Sequence, residues 1–429
     1  MKAIRVTTVA MVALAGLAQA DVITVGPGVE YDFQTIQAAI DDADNGNTVV
    51  VAVGTYTGEG NRDIDFKGKA ITVRSTDPND PNVMAGTIID CNGTEAEPHR
   101  GFYFHSGEVP DSLLAGITIR NGYGPRTSHG FPKSPLGGGI CCRLNSSPTI
   151  ARCVITGSTA QHGGAIYCDA SSPRITHCTI THNGPSQDGG GISIWSIEGN
   201  SNPVIAHCTI AGNSAYFGAG IYCAGGNPAI VHCTISDNHA MYHAGGMENH
   251  ANAVVVNCTF TDNSAPSGGA ISTYRTNTVL SNCILWGDHP EEIYVGDGAP
   301  PLVSYSDIQG GYAGVGNISA DPCFADPNGW DYHLKSQAGR WDAATESWVI
   351  DEATSPCIDA GDPMTPIGGE LFPNGGIINM GAYGGTIEAS KSYFGQPVCE
   401  RIIAGDINGD CRVNFEDFRL MALHWLEAI

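Results

Sequence analysis

One motif returns along this chain at a nearly fixed interval, and that interval restricts the fold more than any other feature. PTIARCVIT (148–156), PRITHCTIT (173–181), PVIAHCTIA (203–211), PAIVHCTIS (228–236), AVVVNCTFT (253–261) and TVLSNCILW (278–286) align on cysteines 153, 178, 208, 233, 258 and 283. Four of the five steps are 25 residues and one is 30, the surplus falling in a loop around Glu198 to Asn202. A constant period of this size is the mark of a solenoid. Inside each unit the alternation has period two: Cys178 and Ile180 point one way, His177 and Thr179 the other. A second strand follows a Gly-rich turn in GGGICC (137–142), GGAIYC (163–168), GGGISI (189–194), GAGIYC (218–223), AGGMEN (244–249) and GGAIST (268–273). With no helical stretch between these strands, each unit must be one coil, and the coils stack about 4.8 Å apart as parallel strands. The expected fold is all-β: a right-handed, single-stranded parallel β-helix of ~25 residues per coil.

Side-chain columns follow from that stacking. Cys153, Cys178, Cys208, Cys233, Cys258 and Cys283 should form one inward ladder, and Cys142, Cys168 and Cys223 belong to another. Parallel side-chain vectors are poor disulfide geometry, so these cysteines read as small buried hydrophobes. Asn183, Asn213, Asn238 and Asn263 recur five residues after a ladder cysteine and suit an internal amide stack that satisfies turn backbone. His177, His207 and His232 form a further column on the strand opposite the GGAI strand. That column reads as a stacking ladder rather than a metal site, because parallel side chains rarely converge on one ion.

The chain has 429 residues and a formal net charge of −24. That balance argues against nucleic acid or an anionic membrane as partner, and weakens the case for a strongly anionic polysaccharide unless bound Ca²⁺ bridges the two. Lys2 and Arg5, the apolar stretch Val6 to Leu17 and Ala18-Gln19-Ala20 read as a signal peptide over 1–20, so export is expected, with no membrane insertion after cleavage. The cysteine count is 15, an odd number.

The repeats resemble the pectin-lyase-like β-helix superfamily. The GGAI turns and the segment from Phe260 to Asn263 are similar to the GGAI and FxxN repeats of polymorphic outer-membrane proteins. Residues 21–90 resemble the N-terminal cap of such solenoids, FQTIQAAIDDA (33–43) supplying a capping helix with Phe33, Ile36, Ile40 and Ala43 at helical spacing. Coils are expected over 91–319. DPCFADPNGWDYHL, SPCIDAGDP and NMGAYGG place 320–390 as C-terminal coils and cap, similar to an end-segment of bacterial surface β-helix proteins, with Asn379 where an acid usually stands and Cys323 and Cys357 as a candidate pair. The resemblance specifies fold more than function, since this scaffold hosts lyases, hydrolases, esterases, adhesins and plain binders. The repeats carry no catalytic signature of pectate lyases, polygalacturonases or pectin methylesterases.

In the tail (391–429), Asp406, Asn408, Asp410, Arg412, Asn414 and Asp417 fall at positions 1, 3, 5, 7, 9 and 12 of an EF-hand-type loop, with Arg412 offering its carbonyl. Phe415, Phe418, Met421, Ala422, Trp425 and Leu426 follow on one helical face. The pattern resembles a single dockerin repeat, which implies Ca²⁺ and a cohesin-like protein partner. Cys411 occupies the position that normally needs Gly, and a Cys399–Cys411 bridge would brace the loop instead.

The strand after each GGAI turn presents outward pairs: Tyr167/Asp169, Ser193/Trp195, Tyr222/Ala224, Glu248/His250 and Ser272/Tyr274, with His162, Asp188, Tyr216, Phe217, His239, Tyr242 and His243 in adjacent loops. Tyr167, Trp195, Tyr222 and Tyr274 are the expected sugar-stacking residues, and Asp169, Glu248, His250 and His243 the candidate acid–base groups. Three readings follow: an exported polysaccharide-binding β-helix, a polysaccharide-degrading lyase or glycosidase, and an adhesive or structural surface protein.

Overall fold

The computed structural model describes residues 20–126, 134–196, 201–275 and 277–395, together with 405, 407 and 412–425 of the tail. The signal-peptide stretch, Asp406, Asn408, Asp410, Cys399 and Cys411 lie outside these.

Among the described residues the body is a right-handed parallel β-solenoid of three long sheets with eleven, ten and eight strands, one strand of each per coil through most of its length. Register is strict. Ile150, Ile175, Ile205, Ile230, Val255, Leu280 and Val303 stand in one row of the first sheet, and Ile155, Ile180, Ile210, Ile235, Phe260, Leu285 and Ile308 in one row of the second. These side chains and the ladder cysteines fill a single core from Ile23 to Ile308. The helix Ile36–Asp42 buries Ile36, Ala39 and Ile40 against the first strands and closes the N-terminal end.

Every described cysteine is a free thiol. In the ladder each thiol points at a carbonyl of the coil before it, Cys178 Sγ to Ile150 O at 3.6 Å and Cys233 Sγ to Ile205 O at 3.5 Å. The asparagine column forms as expected. Asn213 Oδ1 accepts the Asn183 backbone N–H and Nδ2–H, both at 3.0 Å, and the pattern runs on through Asn238 and Asn263 to the carboxylate of Asp288.

Two expectations are corrected. His177, His207 and His232 are not strand residues; they occupy left-handed turns (φ 53°, 52° and 51°) between the first and second sheets, and Asn257 and Asn282 continue the row at 47° and 56°. Asn and His are among the few side chains that accept this backbone region readily, which explains the column's composition. The imidazoles stack at 4.8 Å, as a ladder should. The second correction concerns 320–394, which adds no coil to the described stack. Prolines 322, 327, 356, 363, 366 and 373 remove donors that stacked strands need, and the segment instead runs back over the second sheet as a strap. Gly381 N–H reaches Asn282 O at 2.8 Å, Ala382 N–H reaches Thr259 Oγ1 at 3.0 Å, and Phe324, Tyr332, Cys357 and Met380 pack around Ile284. Cys323 and Cys357 are unpaired, the latter donating to Asp307 Oδ2 at 3.0 Å.

Candidate functional site

The strap covers the second sheet's outer face, whereas the third sheet turns a row of rings outward. Five of its eight strands begin after a left-handed Gly (137, 163, 189, 218 and 268), and the Met247–Asn249 strand after a left-handed Ala244. At Gly218 (φ 53°) a Cβ would stand 2.5 Å from Ile221 O and 3.0 Å from Glu248 Cβ, so glycine both makes the turn and leaves room beside Glu248.

Parallel register fixes the order of the row. Ser193, Tyr222, Glu248, Ser272 and Tyr294 are successive partners, and Trp195, His250 and Tyr274 lie two residues beyond their coils' members of that row. Ring centroids are 6.2 Å apart for Trp195 and Tyr222, 5.7 Å for Tyr222 and His250, and 4.7 Å for His250 and Tyr274, whose planes are 6° from parallel. His243 comes from the neighbouring short sheet and stacks on Tyr294 at 6.2 Å, its Nδ1 3.1 Å from Ser267 Oγ.

The Glu248 side chain lies beneath these rings and is only 5% exposed. Its Oε1 meets His250 Nε2 at 2.9 Å, and its Oε2 has no hydrogen-bond partner. Burial, then the Asp188 and Glu248 carboxylates, push the Tyr222 phenol up; burial and Glu248 push Tyr274 up to about 12. Both phenols therefore stay protonated at neutral pH and can donate. Rings and phenol donors together suit a hydroxylated ligand lying along the coil axis.

Of the residues expected from sequence, Trp195, Tyr222, Glu248, His250, His243 and Tyr274 come together. Tyr167 does not join them: it is fully buried, packed with Leu136 and Cys141 under the 134–136 segment, with its hydroxyl unpartnered. Asp169 is also withdrawn, buried against Arg143 (Nη2 to Oδ2 3.2 Å) and three coils from His250. The alternation correctly turned both away from the core, but period two says nothing of what covers an outer face. One contributor went unplaced. Tyr294 sits on a strand that lacks a GG turn, though the alternation in EEIYV marks it as outward. Asp188 and Ser193 form a chain in which His162 Nδ1 lies 2.7 Å from Asp188 Oδ2, Ser193 Oγ donates to Asp188 Oδ1 (2.8 Å) and Trp195 Nε1–H donates to Ser193 Oγ (3.1 Å), which fixes the indole.

In the tail the helix Phe415–Trp425 forms, with Phe415 and Phe418 exposed. Arg412 and Asn414 are exposed. Asp417 is buried, its Oδ1 accepting from Ile407 N–H and its Oδ2 from Asn414 N–H, both at 2.7 Å. No described helix is long and apolar enough to cross a membrane.

The family model described as right handed beta helix region matches residues 61–228, 132–285 and 198–320, and the model described as disaggregatase related matches 303–361. No curated protein matches the chain. Among solved structures it is similar to pectate lyase Pel9A at 13% identity and a TM-score of 0.50, covering 86% of this chain and 97% of that one. A pectin methylesterase from Aspergillus niger aligns at 14% identity and a TM-score of 0.32 over 71% of this chain and 87% of that one. At 13% identity the likeness to the pectate lyase is one of fold.

Proposed function

This chain belongs to the right-handed β-helix family, and from that premise we propose that it is an exported protein that binds polysaccharide along the outer face of its third sheet. The carrying observation is the unbroken run of rings Trp195, Tyr222, His250 and Tyr274 with the Glu248 carboxylate beneath it. The pectate lyase with a similar fold acts on a polysaccharide, in keeping with this reading. Affinity electrophoresis in gels containing a panel of soluble glycans tests it. One or more glycans should retard the protein, and Trp195→Ala or Tyr274→Ala should weaken that retardation several-fold. A protein that no glycan retards sinks the reading.

The contact between Glu248 Oε1 and the part-exposed His250 at 2.9 Å favours a second reading, in which the two act as base and acid on the bound chain. New reducing ends or unsaturated products, lost in Glu248→Gln, would establish it. For the tail we propose calcium binding: the ligand spacing supports it, as does Asp417, whose carboxylate is held against the backbone of Ile407 within the loop. When bound, the ion would order the loop before the helix. A cohesin-like protein partner is proposed for the exposed Phe415 and Phe418. Calorimetric titration of chelator-stripped protein with Ca²⁺ should release heat that Asp417→Ala abolishes.

A further inference from the structure

The charges around the ring strip specify the ligand further. Resting on the polysaccharide-binding reading above, we infer that the strip takes an uncharged glycan and discriminates against polyuronates. From Ser193 to Tyr294 the outward row holds serines, tyrosines and one carboxylate, Glu248. The parallel row holds Trp195, His250, Tyr274 and Asp297.

Two guanidinium groups flank these rows and each is paired with an aspartate, the Arg143 pair buried and the Arg275 pair exposed. Arg143 faces Asp169, and Arg275 donates Nε–H to Asp297 Oδ2 at 2.7 Å. Bidentate capture of a carboxylate by Arg is how proteins usually hold such a group, and no other described lysine or arginine stands in these two rows. The acidic groups point the other way. Glu248 lies beneath the rings, and Asp188 lies under Ser193, with Tyr222 feeling the field of both.

A uronate in each successive sugar would repeat a negative charge along this strip. Each approach to within about 4 Å of Glu248 costs about 1 kcal/mol even in a water-like dielectric, and more where the rings exclude water. The formal net charge of −24 adds a long-range repulsion. Bridging by a divalent ion would offset this, but among the described residues no three His, Cys, Asp or Glu side chains converge to hold one. Neutral hydroxyls meet none of these penalties, and the protonated phenols of Tyr222 and Tyr274 can donate to them.

The test compares polymers that differ only in charge. Highly methyl-esterified pectin and the same preparation after saponification are run in affinity gels beside neutral glucans, mannans and xylans, at moderate ionic strength, with EDTA and with Ca²⁺. The expected result is retardation by uncharged polymers with apparent dissociation constants about ten-fold or more below those of any polyuronate. In Glu248→Gln that ratio should shrink several-fold, whatever the variant's own affinity for the neutral polymers. If a polyuronate in EDTA binds as tightly as its uncharged counterpart and Trp195→Ala weakens it, the polysaccharide reading stands and this inference falls. If the Glu248→Gln ratio is unchanged, the carboxylate is not the discriminator and the inference falls. If no polymer of either kind binds, both fall together.

Discussion

A single side chain in a solenoid has the same neighbours above and below as its counterparts in other coils, so its contribution is set by its column. Asn213 shows this. Its amide accepts from the Asn183 backbone and side chain, donates to Ile180 O at 2.9 Å, and donates to Asn238 Oδ1 at 3.0 Å. Asn213→Ala leaves the buried Asn183 backbone N–H without an acceptor and removes the donor to Ile180 O and Asn238 Oδ1, and should lower unfolding free energy by about 2–4 kcal/mol, measured by urea denaturation. Tyr167 gives the opposite expectation. Its hydroxyl is buried without a partner, so Tyr167→Phe removes an unsatisfied polar group and should stabilise the protein by about 1 kcal/mol. Because the ring lies beneath the surface, the same substitution should leave glycan retardation unchanged; a loss of retardation would return Tyr167 to the binding strip. Column identity was legible residue by residue, since a 25-residue step and a period of two fix which way each side chain points. Burial of Tyr167 and Asp169 was not, because it depends on which side chains the preceding coil sets beside them, Leu136 and Cys141 for the ring and Arg143 for the carboxylate, and the period does not specify those.

Elements divide the same way. Strands and Gly turns announce themselves through periodicity, whereas the strap over 320–394 has no internal register, and only its docking on the second sheet reveals its role. The strap's own turns are held by buried carboxylates. Glu370 Oε1 accepts the N–H groups of Asn379 and Gly385, each at 2.8 Å, and burial pushes its pKa up from 4.5 to about 7. A carboxyl raised in the folded state binds its proton more tightly there than in the unfolded chain. Its contribution is therefore fully present below pH 4.5 and is lost as pH rises through about 7. The neighbouring Asp359, also raised by burial, acts in the same direction. The strap should thus loosen on going from pH 5 to pH 8, with a cost at Glu370 of about 3 kcal/mol. Limited proteolysis across that range should show cleavage within 351–390 rising with pH, and Glu370→Gln, which keeps the acceptor and removes the titration, should flatten the profile. An unchanged profile in that variant would mean that Glu370 does not hold the strap.

At the scale of the whole molecule, stability in a stack of this kind is a sum of coils and the interfaces between them, and that has a consequence for sequence editing. Pro203 and Pro228 start equivalent strands, with Val204 and Ala229 paired in register. Removing residues 203–227 therefore joins Asn202 to Pro228 and takes out one complete coil. The rows on either side can close up, because Ile175 then meets Ile230, Cys178 meets Cys233 and Asn183 meets Asn238, each like the residue it replaces. The strap's anchors at Asn257, Thr259 and Asn282 lie beyond the deletion and move as one body with it. Such a chain should fold, melt cooperatively and keep the strand signature of the parent in circular dichroism, at a lower melting temperature. A deletion of half a coil from the same point puts turn residues against strand residues and turns core side chains to solvent, so it should yield aggregated protein. Loss of Tyr222 with the coil shortens the ring strip by one ring and sets Trp195 beside His250, which predicts a well-folded variant with weakened glycan retardation, and so separates the scaffold's requirement for register from the strip's requirement for particular rings.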